Sequence, residues 1–381
     1  MATERYDPIA NPYAPGAGTP PPALVGRGEL LAGAEVALRR LRAARTAQHL
    51  LVTGLRGVGK TVLLAKLAAL GEHHAFRVLR VEATGGDDTI AGLLRQAGRL
   101  VEDLGGRGGV RRALRAIESV SLTVAGTGAS VSRRVSDPAR DALADVVVDV
   151  AAVAADAELG VVLTLDEAQR LDRRDLRRIL AGIHRAGQDA LPIYAVVAGT
   201  PDLLGGVARA ATYAERLFEV ASLGPLSVDE VAEAVAQPAA ELGVSWAPQA
   251  VERIVERSSG YPFFVQTWAY HTWNAAVDDP ISAADVDRAA PHVEAALDAS
   301  FFAVRMARIP PSRLAYVRAL ASLGPGPHPS GEVAAAMGKT TRQVGSIRNR
   351  LVADGIVYSP RHGWVEFAVP HLDRYVSRAF P

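Results

Sequence analysis

The sequence predicts an α/β protein in which a parallel five-stranded sheet is followed by an all-helical unit and then by a small unit of helices and a β-ribbon. Three observations predict it. Five short apolar runs alternate with helix-compatible stretches between residues 49 and 223, the grammar of a sheet covered on both faces. Strand-type runs stop at Gly224-Pro225, and helical periodicity alone follows. Pro310-Pro311 then precedes further helices and a pair of β-prone runs joined by a turn-rich segment.

Residues 1–22 contain six prolines and form a lead that is neither helix nor inner strand. From Glu29 to Arg45, Leu30, Leu31, Ala34, Leu38 and Leu41 recur near helical spacing. The strands are read at His49–Thr53, Arg77–Ala83, Val161–Leu165, Ile193–Ala198 and Phe218–Leu223. The gap from Ala83 to Val161 exceeds one crossover, and its glycine-rich stretch from Gly105 to Asp137 is expected as a loop or hairpin. Ser227-Val228-Asp229-Glu230 has the form of a capping box and opens a helix to about Leu242. Three more helices follow at Pro248–Arg257, Phe263–Ala276 and Ser282–Ala307. The last segment reads helix (Ser312–Leu323), helix (Ser330–Met337), turn at Gly338, helix (Thr341–Asp354), then a hairpin of Ile356–Tyr358 and Trp364–Val369. Helix-turn-helix plus a β-ribbon is winged-helix grammar. The expected organisation is 1–22 lead, 23–225 α/β core, 226–309 helical lid and 310–381 winged-helix domain.

Composition excludes several classes. The 381 residues are 49% hydrophobic with a net charge of +1, too apolar for a disordered chain. Cys 0 removes disulfides, thiolate metal sites and cysteine nucleophiles together. No run of 18 apolar residues and no apolar leader is present, so neither a membrane span nor a secretory signal is read, and a cytoplasmic location is expected. From Pro310 onward nine Lys and Arg face four Asp and Glu, so the tail carries +5 within a nearly neutral chain.

Gly54-Leu55-Arg56-Gly57-Val58-Gly59-Lys60-Thr61 matches the phosphate-loop pattern in every fixed position, between an apolar strand and an amphipathic helix that starts at Val62. Glycines let backbone N–H groups close around phosphates, and the helix dipole favours their charge. Lys60 would reach the β- and γ-phosphates, and Thr61 would place its hydroxyl on Mg²⁺. Val161 to Leu165 ends in Asp166-Glu167, two carboxylates at the carboxyl end of a parallel strand, where ligands of open α/β sheets lie. Asp166 is suited to the magnesium shell and Glu167 to polarising the attacking water. ATP and Mg²⁺ are therefore the expected ligands, and ATP hydrolysis the expected chemistry.

These motifs resemble those of AAA+ ATPases, in particular the origin-recognition-like group, from Leu24 to about Ala307 and more weakly through the winged tail. Leu24-Val25-Gly26-Arg27-Gly28-Glu29-Leu30 is similar to the group's opening box, which implies that Val25, Gly26 and Arg27 lie near the adenine. Asp166-Glu167-Ala168-Gln169 has the form of its second motif. The resemblance puts a polar sensor at Thr200, in Ala198-Gly199-Thr200-Pro201, although a threonine there also suits a helix cap. It makes Arg216 the arginine finger that a neighbouring subunit would insert, with Arg209 as a rival. The lid departs from the pattern. Where many AAA+ proteins carry a phosphate-touching arginine, this chain reads Ser259-Gly260-Tyr261-Pro262-Phe263-Phe264, which resembles the Gly-x-Pro of STAND ATPases and implies that Pro262 closes on the base. A slow ATP-driven switch is the reading this supports.

On the helix Thr341 to Asp354, Val344, Ile347 and Leu351 form one stripe, and Arg342, Ser346, Asn349 and Arg350 fall opposite. With Arg361 and His362 on the hairpin tip, that face offers donors suited to duplex DNA. Winged helices also serve as packing or protein-docking domains, so the output is either DNA binding or protein engagement and homo-oligomerisation, the latter without need of hydrolysis.

Overall fold

The structure is a computed structural model and describes residues 6–16, 18, 20–104, 113, 115 and 138–380. Apart from residues 113 and 115, the glycine-rich stretch expected as a loop or hairpin lies outside the described residues. Two compact units divide the chain. One comprises Arg27–Gly54 and Lys60–Leu223, the other Met1–Gly26, Leu55–Gly59 and Gly224–Pro381.

The first unit holds the sheet. Its strands are β1 (His49–Gly54), β2 (Phe76–Glu82), β3 (Gly160–Asp166), β4 (Ile193–Gly199) and β5 (Phe218–Leu223), in the order β2-β3-β4-β1-β5. Every pairing is parallel. β1, β3 and β4 are buried at every residue, whereas the edge strands β2 and β5 alternate. Central strands have both faces covered, so their sequences are continuous apolar runs; an edge strand keeps one wet face. Helices α1 (Gly28–Arg42), α2 (Lys60–His73), α3 (Asp87–Leu104), α4 (Pro138–Asp156), α5 (Arg173–Gln188), α6 (Leu203–Ala210) and the short α7 (Ala214–Leu217) join and cover the strands. Leu94, Val101, Val150, Ala154, Ile179 and Ile183 from α3, α4 and α5 close one continuous core over Val161 and Leu163 of β3.

In the second unit, α8 (Val228–Ala240), α9 (Pro248–Ser258), α10 (Pro262–Ala275) and α11 (Ala283–Leu297) form the helical part. The capping box at Ser227 and Glu230 is formed as its spelling predicts, and Ser282 with Asp285 makes a second. Trp268 and Trp273 are buried, so the aromatics of α10 are core. The helix expected from Ser282 to Ala307 is interrupted by a π-helical turn, Asp298–Phe302, before α12 (Ala303–Met306). The wider turn lets consecutive phenylalanines stack in different directions: Phe301 on Phe263 at 5.0 Å and Phe302 on Tyr375 at 5.3 Å.

The C-terminal segment consists of α13 (Pro311–Ser322), β6 (His328–Pro329), α14 (Ser330–Ala336), α15 (Thr341–Ala353), β7 (Val357–Tyr358), β8 (Trp364–Phe367) and α16 (Leu372–Ala379). The hairpin β7-β8 is present, and β6 adds to it as a third antiparallel strand. Two elements go beyond the sequence reading. β6 is two residues long and ends in proline, too short to show a period; α16 buries Leu372 and Val376, an i, i+4 pair that was visible. Among the described residues no helix is long and apolar enough to cross a membrane.

The lead is ordered where it is described. Tyr13 is 3% exposed, its hydroxyl donates to Val235 O at 2.5 Å and accepts from the Trp246 indole N–H at 2.9 Å, and Asn11 donates to Tyr270 O.

Candidate functional site

Sheet register explains why the site residues converge. β1 pairs with β4 so that Thr53 faces Gly199, and β3 pairs with β4 so that Leu165 faces Val197. Gly54, Asp166 and Thr200 therefore leave three adjacent strands at the same, carboxyl edge of the sheet, where an open α/β sheet leaves a crevice.

The phosphate loop runs from the end of β1 into α2. Gly57 and Gly59 adopt φ of +92° and +94°, conformations in which a side chain is strained. A Cβ on Gly59 would meet nothing within 4 Å, so the loop is open there. Lys60 is 5% exposed, and its ammonium donates to Gly54 O at 2.9 Å, folding back across its own loop. The Thr61 hydroxyl donates to Asp166 Oδ2 at 2.6 Å. Asp166 is 9% exposed and takes a second bond at Oδ1 from the Glu167 backbone N–H. Lysine, hydroxyl and carboxylate are hard groups of the kind that a magnesium-bound phosphate chain takes, so the residues present fit magnesium nucleotide.

Glu167 sits in the left-handed region at φ +51°, followed by a 3-10 turn, Ala168–Arg170. Its Oε2 accepts from Gln169 Nε2 at 2.8 Å, and Arg170 Nε lies 3.7 Å away. Gln169 Oε1 in turn accepts from the Thr200 backbone N–H at 3.2 Å, so one amide side chain spans the second acid and the end of β4. Sequence reasoning included Gln169 in the motif but gave it no part; its place two residues after Glu167 was the available signal. The Thr200 hydroxyl donates to Asp202 Oδ1 at 2.5 Å; Asp202 and not Thr200 is the N-cap of α6, and no side chain caps that helix, so the capping use is not what the structure shows.

The other predicted residues are spread more widely. Val25 is buried, and Gly26 at φ +67° lies against Glu230, whose Oε1 would stand 2.0 Å from a Cβ there. Arg27 is 9% exposed and precedes α1. Pro262 opens α10, and the preceding Gly260, also at positive φ, lies against the Leu226 carbonyl. Arg216 is exposed in α7, immediately before β5, with its carbonyl accepting from Gln48 just before β1. That is the amino edge of the sheet. Six strand residues, about 20 Å, separate it from the edge where Lys60 lies, so Arg216 does not reach its own loop. Arg209 is exposed, and its carbonyl holds the Arg173 guanidinium.

Within the second unit the loop has contacts that sequence could not show. The Tyr261 ring packs on Gly57, and Arg56 Nη1 donates to Asp354 O at 2.8 Å. Burial holds the Tyr261 phenol well above its ordinary proton affinity, with the nearby Arg305 and then Arg56 guanidiniums opposing it. Arg305 lies in α12, beyond the segment in which a phosphate-touching arginine was sought, with its guanidinium 4.3 Å from the Phe301 ring centre.

The residues expected to face DNA lie on α15 and on the hairpin. Arg342, Ser346, Asn349 and Arg350 are all exposed on α15, opposite buried Val344 and Leu351. Arg361 is exposed on the hairpin with its guanidinium 3.7 Å over the Trp364 ring.

Residues 23–197 match the AAA ATPase domain family, and residues 299–376 match a domain of unknown function, DUF8462. No curated protein matches the chain. Among solved structures, the Walker-type ATPase PABY2304 of Pyrococcus abyssi is 15% identical over 93% of this chain and 96% of that one, with a TM-score of 0.57, and shares the fold. The Orc1 protein of Aeropyrum pernix in complex with DNA is 18% identical over 94% and 93%, at 0.48. The RuvB Holliday junction branch migration motor of Thermotoga maritima is 16% identical over 94% and 97%, at 0.47.

Proposed function

We propose that this chain, whose residues 23–197 match the AAA ATPase domain family, is a slow, magnesium-dependent P-loop ATPase that works as a nucleotide-controlled switch. The observation that carries the reading is the 2.6 Å hydrogen bond from Thr61 to Asp166 at the foot of the glycine loop, which joins the two motifs 105 residues apart. Bound magnesium ATP supplies an electrophilic terminal phosphoryl group. Lys60 exchanges the Gly54 carbonyl for phosphate oxygens and offsets their charge. Thr61 and Asp166 hold the metal shell, and Val25, Gly26, Arg27 and Pro262 are assigned to the nucleoside by resemblance. Glu167 accepts a proton from the attacking water, and Thr200 attends the γ-phosphate. Slow turnover is supported by the segment Ser259 to Phe264, which carries Gly-x-Pro where many AAA+ proteins carry a phosphate-touching arginine.

Arg216 completes the reading. Lying at the far edge of its own sheet, it serves as a finger only toward a neighbouring copy, so hydrolysis requires a homo-oligomer. Residues 226–309 act as lid and 310–381 as a winged-helix output domain, whose exposed Arg342, Ser346, Asn349 and Arg350, with Arg361, suit duplex DNA. The second reading, a non-hydrolysing STAND-like switch with a protein partner, is favoured by one observation: Arg361 is already stacked on Trp364.

Single-turnover and steady-state ATP hydrolysis, with and without duplex DNA, tests both. DNA-stimulated turnover that Glu167→Gln abolishes, with DNA retention lost in Arg342→Glu/Arg350→Glu, upholds the first. Tight ATP binding with negligible turnover and unchanged DNA retention would replace it with the second.

A further inference from the structure

Tyr261 is 1% exposed, and its hydroxyl has no hydrogen-bond partner among the described residues. An idle buried hydroxyl is costly, and in a folded protein such a group calls for an explanation. Its place supplies one. A Cβ built on Gly57 would stand 2.7 Å from both the hydroxyl oxygen and Cε1 and 2.9 Å from Cζ, so the phenol lies directly on the phosphate loop. Gly57, at φ +92°, is the residue whose lack of a side chain admits the ring. The charges of Arg305 and then Arg56 act on the phenol and oppose the effect of its burial. Burial keeps it protonated, so it can act only as a neutral O–H donor or a weak acceptor. A donor without an acceptor, lying against a glycine of a phosphate loop, is complementary to a phosphate oxygen.

We propose that the Tyr261 hydroxyl is a ligand of the nucleotide's phosphate chain, donating to a phosphate oxygen and so tying the first turn of α10 to nucleotide occupancy of the loop. This rests on the reading that the loop binds nucleotide. Tyr261 is then the group through which the lid detects phosphate, while Pro262 beside it is assigned to the base. The ordinary explanation, a tolerated orphan in an aromatic core beside Phe264 at 5.0 Å, makes the opposite prediction for affinity.

Tyr261→Phe removes the hydroxyl and keeps the ring. Binding of magnesium ATP and of magnesium tripolyphosphate to the full chain is measured by calorimetry for the wild type, Tyr261→Phe and Lys60→Ala, together with the Tm of each without ligand. We expect Tyr261→Phe to bind both ligands about 10- to 100-fold more weakly, the loss of a hydrogen bond to a charged group, with an unliganded Tm equal to or above that of the wild type. Unchanged affinity in Tyr261→Phe, while Lys60→Ala loses binding, overturns the proposal alone. Weakening for ATP but not for tripolyphosphate moves the hydroxyl to the nucleoside and overturns the phosphate assignment. A lower unliganded Tm with proportionate loss of affinity makes the hydroxyl structural. Absence of binding in the wild type overturns the loop reading and this proposal with it.

Discussion

Arg56, in the phosphate loop, donates to the backbone carbonyl of Asp354, 298 residues later, at 2.8 Å. Asp354 caps the C-terminal end of α15, and its carboxylate is held by Arg313. The next residue, Gly355 at φ +67°, admits the guanidinium: a Cβ there would stand 3.0 to 3.1 Å from Arg56 Cζ, Nε and Nη1. A cation at a helix C-terminus also meets the negative end of its dipole. The loop expected to hold phosphate is therefore bonded to the helix expected to meet the output partner.

Breaking that bond should loosen α15 and leave the sheet unit unaffected. Gly355→Ala combines the crowding of Arg56 with backbone strain of about 1 kcal/mol, and Arg56→Ala removes a charge-assisted bond worth about 1.5–3 kcal/mol. Hydrogen exchange over residues 341–369 should accelerate roughly 5- to 100-fold in either variant. Protection equal to the wild type in both would mean that the contact carries no free energy.

Gln169 positions Glu167, so Gln169→Ala should lower kcat about 10- to 100-fold while KM for ATP stays near the wild-type value, because its side chain holds the second acid and the end of β4 and not the phosphate loop. An unchanged kcat, or a fall in kcat matched by a fall in Tm, would assign Gln169 to fold maintenance only.

A finger supplied by a neighbour can be complemented. Arg216→Ala and Glu167→Gln should each be inactive alone, yet an equimolar mixture should recover hydrolysis, because an Arg216→Ala site beside a Glu167→Gln neighbour has both groups. In random pairs about a quarter of wild-type activity is expected. No recovery, with rates flat across a dilution series, would remove the shared site.

His49 begins β1 fully buried, its Nδ1 accepts from the Ala195 N–H, and burial pushes its pKa down to about 4 from 6.5. The folded protein thus binds its proton less readily than the unfolded chain. The stabilisation is complete above pH 6.5 and is lost as pH falls toward 4, by about 3 kcal/mol at most. Urea unfolding of wild type and His49→Gln should diverge in pH slope across that window, with the variant flatter; parallel slopes would show that His49 does not set acid sensitivity.

Much of this was legible because it is local. The apolar runs of β1, β3 and β4, the loop from Gly54 to Thr61 and the acids Asp166 and Glu167 each lie within a few consecutive residues, and strand periodicity and loop chemistry act at that range. The capping box at Ser227 was readable for the same reason: Glu230 Oε2 does accept from the Ser227 N–H at 2.7 Å. What escaped was set by distant pairing. No local pattern links Tyr261 to Gly57, Arg56 to Asp354, or Arg305 to Tyr261, and the π turn at Asp298–Phe302 follows from stacking partners as remote as Phe263 and Tyr375. Gln169 differs: it stood inside a recognised motif and was passed over.

Tyr13 bears on how the protein can be cut. Its hydroxyl links the Trp246 indole to the Val235 carbonyl, and its ring stands edge-on to both Trp246 and Trp273 at 6.1 and 6.2 Å. Trimming the chain to residue 23, where the match to the AAA ATPase domain family begins, would uncover two tryptophans and strip one indole of its acceptor. The trimmed protein would show red-shifted intrinsic fluorescence and poor solubility, so a proline-rich stretch that resembles a dispensable leader is an interior wall.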